Sequence, residues 1–169
     1  MPDELTPGAP PPFGVYLHVP FCAERCDYCA FATWTDRHHL VEPYLHACAT
    51  DIGRAVAAGM PPATSVFVGG GTPSLVPARM LVEVLAGIPL APGAEITVEC
   101  NPDTVTADLA HTYRNGGVTR ISLGVQSMVP LRSASAWPAR SWPSRVAARC
   151  AAATAPWPSA RRADGRRPN

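Results

Sequence analysis

The chain has 169 residues, of which 47% are hydrophobic, and its 14 basic and 13 acidic side chains give a formal net charge of +1. This length is sufficient for one hydrophobic core, and the near-neutral charge gives no support for nucleic-acid binding. The N-terminal residues lack the features of a signal peptide and no apolar run approaches the ~20 residues of a membrane span, so we expect a cytoplasmic protein with at most transient membrane association.

The first predicted element is a buried strand over residues 14–19, which follows a Pro-rich and flexible leader over residues 1–13. Three cysteines come directly after this strand at the spacing Cys-x3-Cys-x2-Cys, namely Cys22, Cys26 and Cys29. In a reducing compartment, clustered cysteines bind metal more often than they form disulfides. Three thiolates can hold three corners of a [4Fe–4S] cluster, which leaves one iron open to a substrate or cofactor.

A structural zinc site is the alternative interpretation of these cysteines. Such sites usually have four ligands, commonly arranged as two separated pairs, and a fourth ligand would have to come from His18, His38 or His39. A single triplet without an obvious fourth partner favours an iron–sulfur cluster. The more distant Cys48 and Cys100 have the character of small core residues.

Strands alternate with helices along the first 130 residues. This alternation, with short and mostly apolar strands, is typical of a parallel βαβ array. We therefore predict an α/β fold of about four βα units that forms part of a (β/α) barrel. Arg120, a charged residue within the last strand, is expected to pair with Glu99 or Asp103. Further strands are predicted over 64–69, 95–100 and 118–125, and helices over 37–58, about 77–86, and from a Thr104 or Thr106 cap to Asn115.

Each unusual motif follows the C-terminal end of a predicted strand. The cysteines follow the first strand, the segment GGGTPS (69–74) follows the second, Glu99 ends the third and Gln126 ends the fourth. In a β/α barrel, this is the face that carries the active site. We therefore expect the four motifs to form one site.

These segments, in this order, resemble the radical S-adenosylmethionine (SAM) superfamily, and within it the coproporphyrinogen dehydrogenase/HemW group. The resemblance rests on the cysteine triplet, which has an aromatic residue before its last cysteine, and on four further segments. It extends over about residues 13–130. The segments are YLHVPFC (16–22), GGGTPS (69–74), ECNP (99–102) and GVQS (124–127).

The resemblance implies two cofactors and a role for each matching residue. The open iron of the [4Fe–4S] cluster would be chelated by the amino and carboxylate groups of SAM, and one electron would cleave SAM to methionine and a 5′-deoxyadenosyl radical. Cys22, Cys26 and Cys29 would bind the cluster. Glycines in the SAM loop let the backbone approach the methionyl group without a Cβ in the way. The implied SAM contacts are Tyr16, Tyr28, Gly70, Gly71, Thr72, Glu99 and Gln126.

Phe31 separates two activities within this group. Coproporphyrinogen dehydrogenase proper has a further cysteine at this position, whereas Phe31 resembles the HemW-type heme chaperones, which lack decarboxylase activity. The resemblance therefore favours a heme chaperone over an oxygen-independent coproporphyrinogen III oxidase. Its implied partners are heme or porphyrin, a respiratory heme enzyme as client, and a one-electron donor.

The composition changes after Pro130. Residues 1–128 carry 6 Arg and 12 Asp and Glu, whereas residues 129–169 carry 8 Arg and 1 Asp. The later segment has too few large apolar side chains to offset the entropy of ordering. We expect a partial radical SAM core over 14–130 and an unstructured, out-of-frame tail over 131–169. The alternatives are a basic RNA- or lipid-binding tail and, for the whole chain, a degenerate fragment without a cluster.

Overall fold

The computed structural model describes residues 11–26 and 29–124, and within these ranges strands and helices alternate as predicted. The four strands form one parallel sheet in the order β1-β2-β3-β4. The predicted α/β fold, an open parallel arrangement, is therefore confirmed. The elements are β1 (Gly14–Val19), α1 (Val41–Ala57), β2 (Ala63–Gly70), α2 (Ala78–Ala86), β3 (Leu90–Cys100), α3 (Ala107–Asn115) and β4 (Arg120–Leu123), with 3-10 turns at His38–Leu40 and Pro73–Leu75.

The largest departures from the predicted starts are those of helix α1 and strand β3, and both have identifiable reasons. Helix α1 begins at Val41 after a 3-10 turn, and Pro43 lies in its first turn, where a missing N–H breaks no helical hydrogen bond. Strand β3 begins earlier than expected because its pairing with β2 shifts register near Ala63, and Gly93 within it has a φ of +78°. An irregularity of this kind interrupts the alternation on which strand prediction depends.

The two faces of the sheet have different characters. Helices cover one face, and the buried core there combines strand and helix side chains. Because successive strand residues point to opposite faces, the other face carries a row of mostly polar and aromatic groups. The core includes Leu17, Val19, Val66, Val68, Ile96 and Val98 from the strands and Leu45, Leu81, Leu85, Leu109 and Tyr113 from the helices. The opposite face carries Tyr16, His18, Phe67, Glu95, Thr97, Glu99 and Arg120.

Thr106, one of the two predicted caps, is the N-cap of helix α3, and its Oγ1 accepts a hydrogen bond from the amide of Leu109 at 3.1 Å. Thr106→Ala should lower the free energy of unfolding by about 1 kcal/mol, because this amide then loses its partner. Thr106→Ser keeps the hydroxyl and should retain most of the stability. Urea unfolding of both variants measures the effect. A free energy of unfolding that is unchanged in Thr106→Ala would contradict the capping role.

None of the described helices is both long enough and apolar enough to cross a bilayer. The first ten residues of the leader and the tail over 131–169 lie outside the described residues. The expectations of a flexible leader and an unstructured tail therefore stay predictions.

Candidate functional site

The segment that carries the three cysteines is closed at its base by backbone contacts. Phe21 and Trp34 form an isolated parallel bridge. The amide of Cys22 donates to the carbonyl of Trp34 at 3.0 Å, and the amide of Trp34 donates to the carbonyl of Pro20 at 2.7 Å. Residues 22–34, named the cysteine loop below, therefore leave and rejoin the structure beside the C-terminal end of β1.

The three cysteines differ in exposure along this loop. Cys22 is buried, Cys29 is half-buried and Cys26 is exposed, and all three are free thiols. The amide of Cys29 donates to the carbonyl of Cys26 at 2.9 Å. Within the described ranges, no three His, Cys, Asp or Glu side chains are gathered as a metal site. The loop thus carries the predicted ligands without holding their sulfur atoms in a preformed cage.

The segment GGGTPS at 69–74, named the glycine loop below, lies directly against the first cysteine. The hydroxyl of Thr72 donates to the sulfur of Cys22 at 3.8 Å, although the two residues are 50 positions apart. The amide of Thr72 donates to the carbonyl of Phe21 at 2.8 Å, and that of Gly71 donates to Val19 at 2.7 Å. The predicted proximity of these two motifs is therefore present in the fold.

Gly71 and Gly70 are needed for close packing in this structure. A Cβ on Gly71 would lie 2.6 Å from the carbonyl oxygen of Phe21 and 3.0 Å from the sulfur of Cys22. Gly70 has a φ of +113°, and a Cβ there would lie 2.5 Å from the ring of His18. The sulfur of Cys22 thus faces backbone that carries no side chain. This arrangement and the three thiols fit the predicted cluster and an approaching cofactor.

Tyr16 and Glu99 lie near the glycine loop on the face of the sheet away from the helices. Tyr16 is 56% exposed and stacks on Phe67 of β2 with ring centroids 6.2 Å apart. A Cβ on Gly69 would lie 2.8 Å from a carboxylate oxygen of Glu99, so Glu99 reaches across to β2. Burial, and secondarily the charge of Glu99, raises the pKa of the Tyr16 phenol. The phenol therefore keeps its proton and can act as a hydrogen-bond donor.

Two predicted SAM contacts, Tyr28 and Gln126, lie outside the described residues. Their roles stay predictions. The roles of Tyr16, Gly70, Gly71, Thr72 and Glu99 in binding SAM also stay predictions. Gly70, Gly71, Thr72 and Glu99 lie around the C-terminal ends of β2 and β3, and Tyr16 lies within β1.

Ser74 and Asn101 join the glycine loop to the end of β3, a link that the sequence analysis did not identify. The buried hydroxyl of Ser74 accepts a hydrogen bond from the amide of Asn101 at 3.0 Å and also contacts the hydroxyl of Thr104. The amide of Asp103 donates to the side chain of Asn101 at 2.9 Å. A serine that ends one motif and an asparagine that follows a strand were the available signals, because both residue types satisfy loose backbone groups at turns.

The ion pair of Arg120 is with Glu95, so the predicted pair with Glu99 or Asp103 was wrong. The guanidinium lies 3.1 Å from a carboxylate oxygen of Glu95 and donates to the hydroxyl of Thr97 at 2.9 Å. Arg120 lies opposite Thr97 in the sheet, so Glu95 and Glu99 flank its partner residue on the same face. Sequence alone could not decide between two carboxylates at equal distance along the strand.

Cys100 and Cys48 were predicted to be small core residues, and both pack with the hydrophobic core. Cys100 is buried in the core. Cys48 is partly exposed and packs against the same core. Burial raises the pKa of the Cys100 thiol to about 12 and also raises that of Cys48. Burial likewise raises the pKa of the Tyr44 phenol to about 12.

These buried acids predict a loss of stability at alkaline pH. A thiol that ionises near pH 8.5 when unfolded but at about 12 when folded remains protonated only in the folded state within that window. Its contribution to stability is therefore complete below about pH 8.5 and is lost as pH rises toward 12, at up to roughly 1.4 kcal/mol per pH unit.

Urea unfolding at a series of alkaline pH values measures this loss. Cys100→Ala should give a shallower decline than the wild type, because the contribution of this thiol is then absent while those of Tyr44 and Cys48 remain. Equal slopes for the two proteins would contradict the assignment of the loss to Cys100.

Comparison with known proteins shows which family this chain resembles in sequence. The model of the radical SAM superfamily matches residues 16–147, which extends past the point at Pro130 where we expected the resemblance to end. The heme chaperone HemW of Mycobacterium tuberculosis is 42% identical over 134 residues, covering 75% of this chain and 34% of that protein. HemW of Escherichia coli is 40% identical over 123 residues, covering 69% of this chain and 32% of that protein.

Proteins named coproporphyrinogen III oxidase also match this chain. An oxygen-independent coproporphyrinogen III oxidase of Bradyrhizobium diazoefficiens is 38% identical over 141 residues, covering 76% of this chain and 30% of that protein. A solved structure of coproporphyrinogen III oxidase (HemN) from Escherichia coli, described as a radical SAM enzyme, superposes with a TM-score of 0.63 at 28% identity. That match covers 71% of this chain and 29% of the solved one.

The chain spans about a third of the length of the curated relatives that it matches. The resemblance predicted from the motifs is confirmed, because the family match starts at the first strand and includes both the cysteine loop and the glycine loop. From its parallel sheet, its cysteine triplet beside a glycine loop and this match, the chain belongs to the radical SAM superfamily.

Proposed function

We propose that this chain forms the cluster-binding part of a HemW-type heme chaperone, with Cys22, Cys26 and Cys29 as the ligands of a [4Fe–4S] cluster. The contact between Cys22 and the glycine loop is the observation that carries this proposal. It places one thiol 3.8 Å from the Thr72 hydroxyl and beside the Cβ-free backbone of Gly71. A cofactor that bridges the cluster and the strand ends can approach at this point.

The residues around this point bind and orient SAM. The backbone of Gly70 and Gly71 offers amide and carbonyl groups at close range, and the hydroxyl of Thr72 is already directed at Cys22. The carboxylate of Glu99 accepts hydrogen bonds from the ribose or amino group, and the phenol oxygen of Tyr16, whose proton is directed at His18, accepts a further one. Bound together, the cluster and SAM supply one-electron cleavage of a carbon–sulfur bond, while the protein supplies position and surroundings.

Tyr28 and Gln126 complete the proposed set of SAM contacts. Both assignments rest on the sequence match to the family motif, because Tyr28 follows Cys26 within the cysteine triplet and Gln126 follows the last strand.

Phe31 and the names of the relatives favour the chaperone. The Phe31 side chain is 62% exposed on the cysteine loop, at the position where the resemblance gives the oxidase a further cysteine. The relatives at 42% and 40% identity carry the name heme chaperone HemW. The proposed partners are heme or porphyrin, a respiratory heme enzyme as client and a one-electron donor, in the cytoplasm and with at most transient membrane contact.

An oxygen-independent coproporphyrinogen III oxidase is the second candidate, favoured by the Bradyrhizobium relative and by the solved Escherichia coli structure. Two assays on the reconstituted chain separate the candidates. One is titration with hemin followed by its visible absorption, and the other is conversion of coproporphyrinogen III in the presence of SAM and a reductant. Hemin binding without decarboxylation supports the chaperone. Decarboxylation would support the oxidase instead. A chain that neither binds hemin nor decarboxylates coproporphyrinogen III would be a degenerate fragment.

Residues 131–169 are proposed to be an out-of-frame extension, on the basis of their Arg-, Ala- and Pro-rich composition. The family match to residue 147 argues against a break as early as Pro130. Reading the gene in its two other frames downstream of this point tests the proposal. Continuation of the family pattern in one frame supports it, and absence from both refutes it. Salt-sensitive RNA or lipid binding by the chain, lost when the tail is removed, would favour the alternative.

A further inference from the structure

The imidazole of His18 connects β1 to the far side of the cysteine loop. Its Nδ1 lies 2.9 Å from the hydroxyl of Tyr16, and its Nε2 lies 3.0 Å from the carbonyl oxygen of Ala32. Ala32 follows Cys29 closely in the chain, at the point where the loop returns to β1. One side chain thus touches both a proposed SAM contact and the exit of the cluster-binding loop.

The partners of His18 determine where its ring carries a proton. A backbone carbonyl can only accept, so Nε2 must donate to Ala32. In the neutral ring, Nδ1 is then an acceptor, and the phenol of Tyr16 donates to it. The direction of both hydrogen bonds is therefore fixed, and the Tyr16 hydroxyl points its proton at the His18 ring.

Two further contacts hold His18 in place. The ring packs on the glycine loop so closely that a Cβ on Gly70 would lie 2.5 to 2.6 Å from its Cε1 and Nδ1 atoms. The hydroxyl of Tyr44, on helix α1, donates to the backbone carbonyl of His18 at 2.5 Å. His18 thus has contacts to β1, to the cysteine loop, to the glycine loop and to α1.

We propose that His18 is a positioning residue that joins Tyr16, the exit of the cysteine loop and Gly70 into one unit before the cofactors bind. This inference rests on the proposed function, because that function gives the cysteine loop and Tyr16 their ligands. The three thiols are not gathered by side-chain contacts of their own within the described residues. A tie at Ala32 limits how far the exit of the loop can move. A tie at Tyr16 limits where its hydroxyl can point.

The metal-free chain gives the first test. Nitrogen-15 NMR of the labelled imidazole, in the neutral form of the ring, distinguishes a proton on Nε2 from a proton on Nδ1. His18 should show the Nε2–H form, and its Nδ1 resonance should shift in Tyr16→Phe, which removes the donor. The opposite tautomer, or an Nδ1 resonance indifferent to Tyr16→Phe, would overturn the proposal.

Two conservative variants separate the two ties. His18→Gln can keep a donor near Ala32 but loses the Nδ1 acceptor for Tyr16, whereas His18→Asn can keep the acceptor but does not reach Ala32. We expect His18→Gln to weaken SAM binding to the reconstituted chain by roughly tenfold while keeping the cluster. We expect His18→Asn to shorten the lifetime of the cluster under a chelator by a similar factor while keeping the SAM affinity.

The exposed His111 on α3 provides the matched control, and His111→Ala should change neither quantity. If His18→Gln and His18→Asn gave the same profile, or both matched His111→Ala, the positioning role would be refuted. The NMR measurement needs no cluster, so it decides about His18 even if the wild type takes up no iron. Failure of the wild type to take up iron would refute the proposed function instead.

Discussion

Cys22→Ser should lower the iron content of the anaerobically reconstituted chain by at least roughly tenfold, because two thiolates do not hold a cubane cluster in place. Of the three proposed cluster ligands, Cys22 is the one whose side chain is buried. Its amide donates to the carbonyl of Trp34, and its sulfur accepts from Thr72. The measurement is iron and sulfide per chain after desalting, together with the visible spectrum.

Cys48→Ser is the matched control for this loss. Cys48 is also a free thiol, but it lies on α1 and packs against the core away from the cysteine loop. It should keep the iron content of the wild type. If Cys22→Ser retained as much iron as Cys48→Ser, the assignment of the cluster to the triplet would fail.

Gly71→Ala should both destabilise the metal-free chain and impair cluster binding. The new Cβ would lie 2.6 Å from the carbonyl oxygen of Phe21 and 2.9 Å from that of Val19, and backbone atoms cannot move aside as a flexible side chain can. Overpacking of this kind typically costs about 1–3 kcal/mol. The shift needed to relieve it separates the glycine loop from Cys22, so the iron content should fall as well.

Gly53→Ala provides the opposite control. Gly53 lies within α1, where a Cβ would meet nothing within 4 Å. Alanine is the better helix former, so this variant should be more stable by about 0.5–1 kcal/mol and should bind iron normally. Urea unfolding of the two variants gives the comparison, and equal free energies of unfolding would contradict the close packing at Gly71.

The local parts of the fold could be predicted from the sequence. The apolar run at 14–19 gave the bounds of β1 correctly, and Thr106 was one of two proposed caps of α3. Strong periodicity and a side chain that satisfies a backbone amide are both local signals, readable within a few residues. The irregular start of β3 was missed, because its shift in register depends on the pairing with β2.

The contacts that join the motifs could not be predicted in the same way. Sequence order indicated that the strand ends share one edge of the sheet, and the contact between Cys22 and Thr72 agrees with that. The packing of the His18 ring on Gly70 and the ion pair of Arg120 with Glu95 both depend on the register between strands from distant parts of the chain. Register of this kind follows from the packing of the whole sheet and leaves no mark in any single segment.

The face of the sheet away from the helices carries charged and aromatic side chains. This face includes the carboxylates of Glu95 and Glu99 and the guanidinium of Arg120. Glu95, which pairs with Arg120, lies nearer than Glu99 to the N-terminal end of β3. Glu99 lies at the other end, beside the glycine loop. Glu99, which has no ion pair among the described residues, is thus next to the proposed cofactors, whereas the paired Glu95 is away from them.

Anaerobic reconstitution of the full chain with iron and sulfide, followed by electron paramagnetic resonance of the reduced protein with and without SAM, tests the central claim most directly. We predict a brown protein whose reduced-cluster signal changes when SAM is added, because an iron without a protein ligand is open to SAM beside Gly71. A colourless protein, or a cluster signal that is unaffected by saturating SAM, would contradict the proposed site.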